Sequence, residues 1–140
     1  MRHQSPSRWA AICIFIAAIV HLALGFSIEF SVDEAHYALY ATHLAWSYFD
    51  HPPLVGWIQW PLVSITSSEG IIRLIPEFLW ILSCYLVYQV TLDIHHSIQG
   101  RNAGYLTSAL PSQNTCGLLA VLAIVAAPIP HIQIGRASCR

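Results

Sequence analysis

The feature that most constrains this chain is an eighteen-residue apolar run near its start. Trp9 to Phe26 carries no formal charge and contains one polar interruption, His21. At about 1.5 Å of rise per residue, a helix of this length nearly crosses a hydrocarbon core of about 30 Å. Only 9% of all residues are charged and none is lysine, whereas about a quarter are charged in soluble domains. The run therefore predicts a transmembrane helix.

Two further apolar segments predict additional spans. One covers residues 75–92, with Pro76 in the first helical turn, where the missing amide hydrogen costs little. The other covers residues 116–132. We expect an all-α integral membrane protein with about three transmembrane helices, at residues 9–26, 75–92 and 116–132. A signal peptide is the alternative for the first run, but the run is long for one and lacks a small-x-small cleavage site.

The distribution of charge predicts an orientation. Arg2 and Arg8 precede the first span, Arg101 follows the second, and five of the six charged residues in 27–74 are acidic. By the positive-inside rule the N-terminus is cytoplasmic and residues 27–74 form an external loop. Residues 95–102 are predicted to be a polar cytoplasmic turn region. We expect a bilayer as partner and no nucleic acid.

The end of the chain differs in composition from the rest. Residues 134–140 read Ile-Gly-Arg-Ala-Ser-Cys-Arg and follow directly on an apolar segment. They predict a non-native tail, and residues 1–133 are then expected to be the N-terminal part of a longer protein, inactive alone. An ordinary short polar tail is the alternative.

The external loop begins with an acidic helix start. Ser31 and Glu34 have the S-x-x-E spacing of a capping box, and Asp33 lies at the same positive helix end. Capping explains the acidic pair as well as catalysis does. The spacing i, i+4, i+7 and i+11 places four side chains on one stripe of this helix, namely Asp33, Tyr37, Tyr40 and Leu44.

A proline-rich turn follows this helix. Pro52 and Pro53 push the residues before them toward extended conformations, which predicts a rigid turn presenting Asp50 and His51. Residues 54–63 then predict a second helix, interrupted near Pro61. Trp46, Tyr48 and Trp57 are typical of a membrane surface, so both helices are expected to be interfacial. A plain proline break between two surface helices is the alternative.

Three motifs in order resemble one enzyme family. D-E-A-x-Y occupies residues 33–37, W-S-Y-F-D-H-P-P occupies residues 46–53, and R-L-x-P occupies residues 73–76. After an N-terminal span, this order resembles the membrane glycosyltransferases of the dolichyl-phosphate-mannose-protein mannosyltransferase type, whose bacterial branch includes the lipid A aminoarabinose transferase. The resemblance implies a GT-C fold with many membrane helices, a catalytic first external loop and a lipid-linked sugar donor.

The resemblance also implies roles for individual residues. Asp33 matches the catalytic aspartate, and Glu34 is its acidic neighbour. Asp50 and His51 match a turn written E-K-P-P in some relatives, where the basic residue meets the donor phosphate and the acidic residue can touch a divalent metal. Histidine stands here in place of that lysine, so its contact with phosphate depends on protonation.

The expected reaction is transfer of a sugar from a polyprenyl phosphate to a lipid, glycan or protein acceptor, with inversion. One carboxylate would accept the proton of the acceptor. The candidate catalytic residues are Asp33 and Glu34, and no metal ligand is assigned. The candidate substrate-binding residues are Tyr37, Tyr48, Asp50, His51 and Arg73.

Two other classes remain open. In a non-catalytic polytopic protein or transporter fragment, the acidic loop is solvated and Arg73 pairs with Glu77 at i, i+4. In a zinc-dependent membrane hydrolase the ligands would come from the loop, although the H-E-x-x-H spacing is missing. Those candidate ligands are Glu34, His36, His43, Asp50 and His51.

Overall fold

A computed structural model of the protein describes residues 6–101 and 111–126, and all regular structure in these residues is helical. The predicted all-α class is therefore confirmed for the described part of the chain. The predicted tail at residues 134–140, and the predicted third span beyond residue 126, lie outside the described residues. The helices are α1 (Pro6–Ser27), α2 (Val32–Thr42), α3 (Leu54–Val63), α4 (Glu69–Ile72), α5 (Leu74–Arg101) and α6 (Gln113–Ala126).

Two helical stretches are long and apolar enough to cross a bilayer. They are Ser7–Ser27 and Glu69–Gln99, and only 17% of each apolar window is buried inside the protein. A core helix of a soluble protein would be mostly buried, so this exposure favours a membrane setting. A signal sequence would also fit the first stretch, which lies near the N-terminus. Helix α6, which contains the described part of the third predicted span, has 14 residues.

Helix α5 is longer than the sequence pattern indicated. The prediction of a turn region at residues 95–102 is wrong as far as Arg101, because α5 continues to that residue. Between Pro76 and Gly100 the sequence contains neither proline nor glycine, so nothing locally interrupts the backbone hydrogen bonds. With 28 residues, α5 is about 42 Å long.

Two compact units divide the described chain, and the first combines α6 with parts of α1 and α5. Gly117 of α6 lies so close to Tyr88 of α5 that an added Cβ would be 2.6 Å from the Tyr88 ring. Gln113 donates a hydrogen bond to the carbonyl of Leu92 at 3.0 Å. A glycine therefore permits the close approach of α6 to α5. This unit comprises residues 6–20, 79–101 and 111–126.

The second unit comprises residues 21–78 and contains every candidate site residue. Helices α2 and α3 pack against each other through Gly56, where an added Cβ would lie 3.0 Å from the Tyr40 carbonyl. The predicted interruption near Pro61 is wrong, because α3 continues to Val63. Pro61 has no backbone N–H, so α3 lacks one hydrogen bond there, and the helix nevertheless continues past it.

A polar pair links the two long helices inside this unit. His21 of α1 lies with Nδ1 3.2 Å from Oε2 of Glu77 of α5. The two side chains are only 17% and 12% exposed. Ionisable groups on apolar helices are costly unless they are paired. The pairing therefore offsets part of the free-energy cost of burying these two polar side chains.

Candidate functional site

The N-terminus of α2 has the predicted capping box. The Ser31 hydroxyl accepts a hydrogen bond from the Glu34 amide at 3.3 Å. Glu34 Oε2 in return accepts one from the Ser31 amide at 2.9 Å. These two bonds satisfy amides that the helix itself leaves unpaired. Helix α2 therefore begins at a residue that the sequence specifies locally.

Arg73, at the junction of α4 and α5, uses its guanidinium to bind several segments at once. Its Nε donates to Glu34 Oε1 at 2.8 Å, and its Nη2 donates to Glu34 Oε2 at 2.9 Å. Its Nη1 donates to the carbonyls of Gly25 and Ile28, and its Nη2 also donates to that of Glu29. We call this arrangement, together with Ser31, the Arg73 clamp. It uses all five donor hydrogens that a guanidinium has.

The clamp also determines the charge of Glu34. Partial burial alone would raise the pKa of Glu34, but hydrogen bonds from Arg73 and Ser31 outweigh it. The pKa of Glu34 consequently lies below its ordinary value, and the carboxylate is ionised at neutral pH. The side chains of Arg73 and Glu34 are 16% and 29% exposed. Water therefore screens this ion pair only partly.

Asp33 has the opposite environment, although it is the immediate neighbour of Glu34. Its side chain is exposed, and among the described residues it has no hydrogen-bond or ion-pair partner. One carboxylate of the predicted catalytic pair is thus occupied by the protein. The other is available to an external group.

The turn after α2 contacts the stripe predicted on that helix. The Tyr40 hydroxyl donates to Asp50 Oδ1 at 2.6 Å, and the same oxygen lies 2.9 Å from Nδ1 of His51. The Tyr37 hydroxyl lies 3.3 Å from Nε2 of His51. The hydrogen bond from Tyr40, assisted by His51, lowers the pKa of Asp50 below its ordinary value. Tyr37 and Tyr40 therefore face the predicted turn from one side of α2.

Tyr48 holds this turn against α2. Its hydroxyl donates to the Tyr40 carbonyl at 2.8 Å and accepts from the Ala45 amide at 3.3 Å. Its ring stacks on the Tyr40 ring with centroids 4.2 Å apart. The Tyr48 amide also donates to the His51 carbonyl at 3.2 Å. Each of these contacts is structural, and a role in substrate binding stays a prediction.

Exposed aromatic side chains surround the turn. Trp46 and Phe49 are almost fully exposed. Trp46 meets the edge of the Trp57 ring at a centroid distance of 4.8 Å. The Trp57 indole nitrogen donates to the Ala45 carbonyl at 3.2 Å, so its polar group is satisfied. Such a surface resembles the amphipathic aromatic residues found at bilayer boundaries.

The structure brings the candidate residues together in two groups. Tyr37, Tyr48, Asp50 and His51 form a cluster, which we call the turn cluster and to which Tyr40 also belongs. Glu34 and Arg73 lie in the clamp. The site prediction omitted Tyr40, although its i+7 spacing from Asp33 was a usable signal. It also omitted Glu69, whose Oε2 accepts a hydrogen bond from the Phe30 amide at 2.8 Å. The two residues are 39 positions apart, so no local sequence pattern predicts this contact.

The geometry bears on the two alternative functions, a non-catalytic membrane protein and a zinc-dependent hydrolase. Arg73 does not pair with Glu77 as expected for a non-catalytic helix entrance; it pairs with Glu34, and Glu77 pairs with His21. Within residues 6–101 and 111–126, no three His, Cys, Asp or Glu side chains converge as a metal site would require. The five residues considered as zinc ligands therefore do not form one group.

Comparisons of the chain with protein-family models, with curated proteins and with solved structures found no match.

Proposed function

We propose that this chain is the N-terminal part of a GT-C membrane glycosyltransferase. The enzyme transfers a sugar from a polyprenyl-phosphate donor to an extracytoplasmic lipid, glycan or protein acceptor. The three motifs in their order support this proposal, as do two helices long and apolar enough to span a bilayer. The loop between those helices then faces the outside of a bacterial inner membrane, with the N-terminus in the cytoplasm.

The observation that carries the proposal is the difference between Asp33 and Glu34. A general base needs a carboxylate that can approach the acceptor hydroxyl. Asp33 is exposed and has no partner among the described residues, whereas Glu34 is engaged by Arg73 and Ser31. Asp33 also lies one helical turn before Tyr37, whose hydroxyl meets His51. Helix α2 therefore carries the proposed base at its start and, one turn later, a tyrosine of the turn cluster.

The reaction proceeds by a single displacement at the anomeric carbon. The acceptor oxygen forms a bond to this carbon and gives its proton to the Asp33 carboxylate. The bond from the carbon to the phosphate oxygen breaks, and its electron pair leaves with the polyprenyl phosphate. The prenyl chain can stay in lipid while phosphate and sugar reach the loop, which accounts for a site at the membrane boundary.

Asp33→Asn in a full-length protein that carries this sequence tests the proposal. Asparagine also suits a helix N-terminus, so the loss of stability should stay at about 1 kcal/mol or less. The amide cannot accept the acceptor proton, so sugar transfer should fall by roughly a hundredfold or more while donor lipid still binds. Transfer is measured with a labelled lipid-linked sugar in membranes. Near-normal transfer by a well-expressed variant would remove Asp33 from the mechanism.

A further inference from the structure

The Arg73 clamp has no donor left for a ligand. A guanidinium has five N–H groups, and Arg73 directs them to the two Glu34 oxygens and to three backbone carbonyls. The ring of Phe30 lies 5.0 Å from the guanidinium carbon and covers it further. A donor phosphate could bind Arg73 only by displacing bonds that hold the loop.

Both carboxylate oxygens of Glu34 are also bound within the protein. Oε1 accepts from Arg73 Nε at 2.8 Å, and Oε2 accepts from both Arg73 Nη2 and the Ser31 amide at 2.9 Å. The pKa of Glu34 is lowered by these bonds, so this carboxylate is a weaker base than an ordinary one. Neither partner of the ion pair is arranged to touch the reacting groups.

We propose that Arg73 and Glu34 are positioning residues that fix Asp33, and that neither contacts the sugar donor or the acceptor. The inference rests on the proposed role of Asp33 as the base. It assigns to the clamp the task of fixing where α2 begins. Asp33 lies between two clamped residues, Ser31 and Glu34, so its backbone follows their positions.

The geometry explains how the clamp would act at a distance from the chemistry. Three bonds from Arg73 hold the carbonyls at the end of α1 and just beyond it, while two more hold the first turn of α2. The segment between the two helices is thereby fixed at both ends. A shift of about 1 Å in a catalytic group can cost a hundredfold in rate. Loosening the clamp would therefore reduce the rate through Asp33.

Arg73→Lys is the substitution that isolates this role. Lysine keeps the positive charge but has three donors on one nitrogen and no planar fork, so it cannot hold both helices. The measurement is a double-mutant cycle in the full-length protein, comparing wild type, Asp33→Asn, Arg73→Lys and the double variant. For each, kcat and the KM for a lipid-linked sugar are determined, and the amount of folded protein is normalised.

If Arg73 acts through Asp33, Arg73→Lys should lower kcat by about tenfold or more in the wild-type background with little change in KM. In the Asp33→Asn background the same substitution should change the residual kcat by less than about twofold. An equal fold-loss in both backgrounds, or a loss expressed mainly as a raised KM, would overturn the positioning role. Such results would instead mean that Arg73 contacts substrate or acts independently of Asp33.

Two further variants make every outcome decisive. Arg8→Lys changes an exposed arginine outside the loop and should leave kcat unchanged. Should Arg73→Lys accumulate poorly, Glu34→Gln replaces it in the double-mutant cycle, because this change removes the other charge of the ion pair. Full activity of Asp33→Asn would remove the proposed base and this inference together. Loss of activity in Asp33→Asn with equal fold-losses in the cycle would remove the positioning role alone.

Discussion

The Arg73 clamp and the turn cluster are both polar, yet they use their polar groups in different ways. In the clamp, every donor of Arg73 and both oxygens of Glu34 are bound within the protein, and both side chains are partly buried. In the turn cluster, Asp50 is exposed and Tyr40 is half-buried, and the hydrogen bond of 2.6 Å that joins them is open to water.

The difference separates groups that stabilise the loop from groups that remain free to bind. A partly buried, fully paired network contributes to folding, and losing one member leaves the others without partners. An exposed network contributes little to stability, because water replaces each bond at small cost. Residues of the second kind can exchange their bonds for those of a substrate. From sequence, Glu34 is a candidate catalytic residue and Arg73 is a candidate substrate-binding residue like Asp50 and His51, so the motifs do not separate these two kinds of group.

The largest effect is expected for Arg73→Met. This change removes the guanidinium and leaves Glu34 and three backbone carbonyls without their donor. The free energy of unfolding should fall by roughly 2–4 kcal/mol. Denaturant unfolding in detergent, followed by circular dichroism, measures this loss beside that of Tyr40→Phe. Equal losses in the two variants would abolish the distinction between clamp and turn cluster.

A smaller, pH-dependent effect is expected for Glu34→Gln. The folded pKa of Glu34 lies below its ordinary value of 4.5, so its ionised form stabilises the fold. This contribution is fully present above the ordinary value and is lost as the pH falls through the folded pKa. At about pH 7 the variant should be less stable than wild type by about 1–2 kcal/mol, and the gap should close in acid.

The control for this titration is Glu29→Gln. Glu29 is exposed, and only its backbone carbonyl takes part in the clamp. Its substitution should change the stability little at any pH. A gap between wild type and Glu34→Gln that stayed constant down to low pH would show that the charge of Glu34 is not what stabilises the clamp.

The smallest effect on stability is expected for Tyr40→Phe. The change removes the hydroxyl that donates to Asp50 but keeps the ring that stacks on Tyr48. Unfolding should hardly change, while sugar transfer should fall by about threefold to tenfold because Asp50 is held less firmly. Tyr85→Phe, which removes a hydroxyl bonded to Gln89 on α5, is the matched control. A loss of stability approaching that of Arg73→Met would contradict the comparison.

Local patterns predicted much of the loop, because the interactions concerned are close in sequence. The S-x-x-E spacing located the start of α2, since both capping bonds join residues three apart. The two prolines located the turn, since a proline restricts its own backbone and that of the residue before it. The i, i+4, i+7 spacing placed Tyr37 and Tyr40 on the side that meets the turn.

Long-range contacts could not be predicted in this way. Arg73 and Glu34 are 39 residues apart, and the local alternative for Arg73 was Glu77 at i+4. An i, i+4 pair on a helix surface contributes only about 0.5 kcal/mol at most. A fork on a carboxylate together with three carbonyls is stronger, so the distant partners prevail. The end of α5 was missed for another reason, because polar residues such as His95 and His96 do not by themselves end a helix.

For a chain that spans a bilayer as proposed above, the His21–Glu77 pair has a consequence for insertion. The partners are 56 residues apart, so α1 leaves the ribosome well before the glutamate has been made. Glu77 lies in the first turn of α5, and an unpaired charged side chain there makes insertion of the helix less favourable. Pairing lowers this cost only when both helices enter lipid together. If α1 and α5 span a bilayer as proposed, biogenesis should therefore favour their insertion as one hairpin.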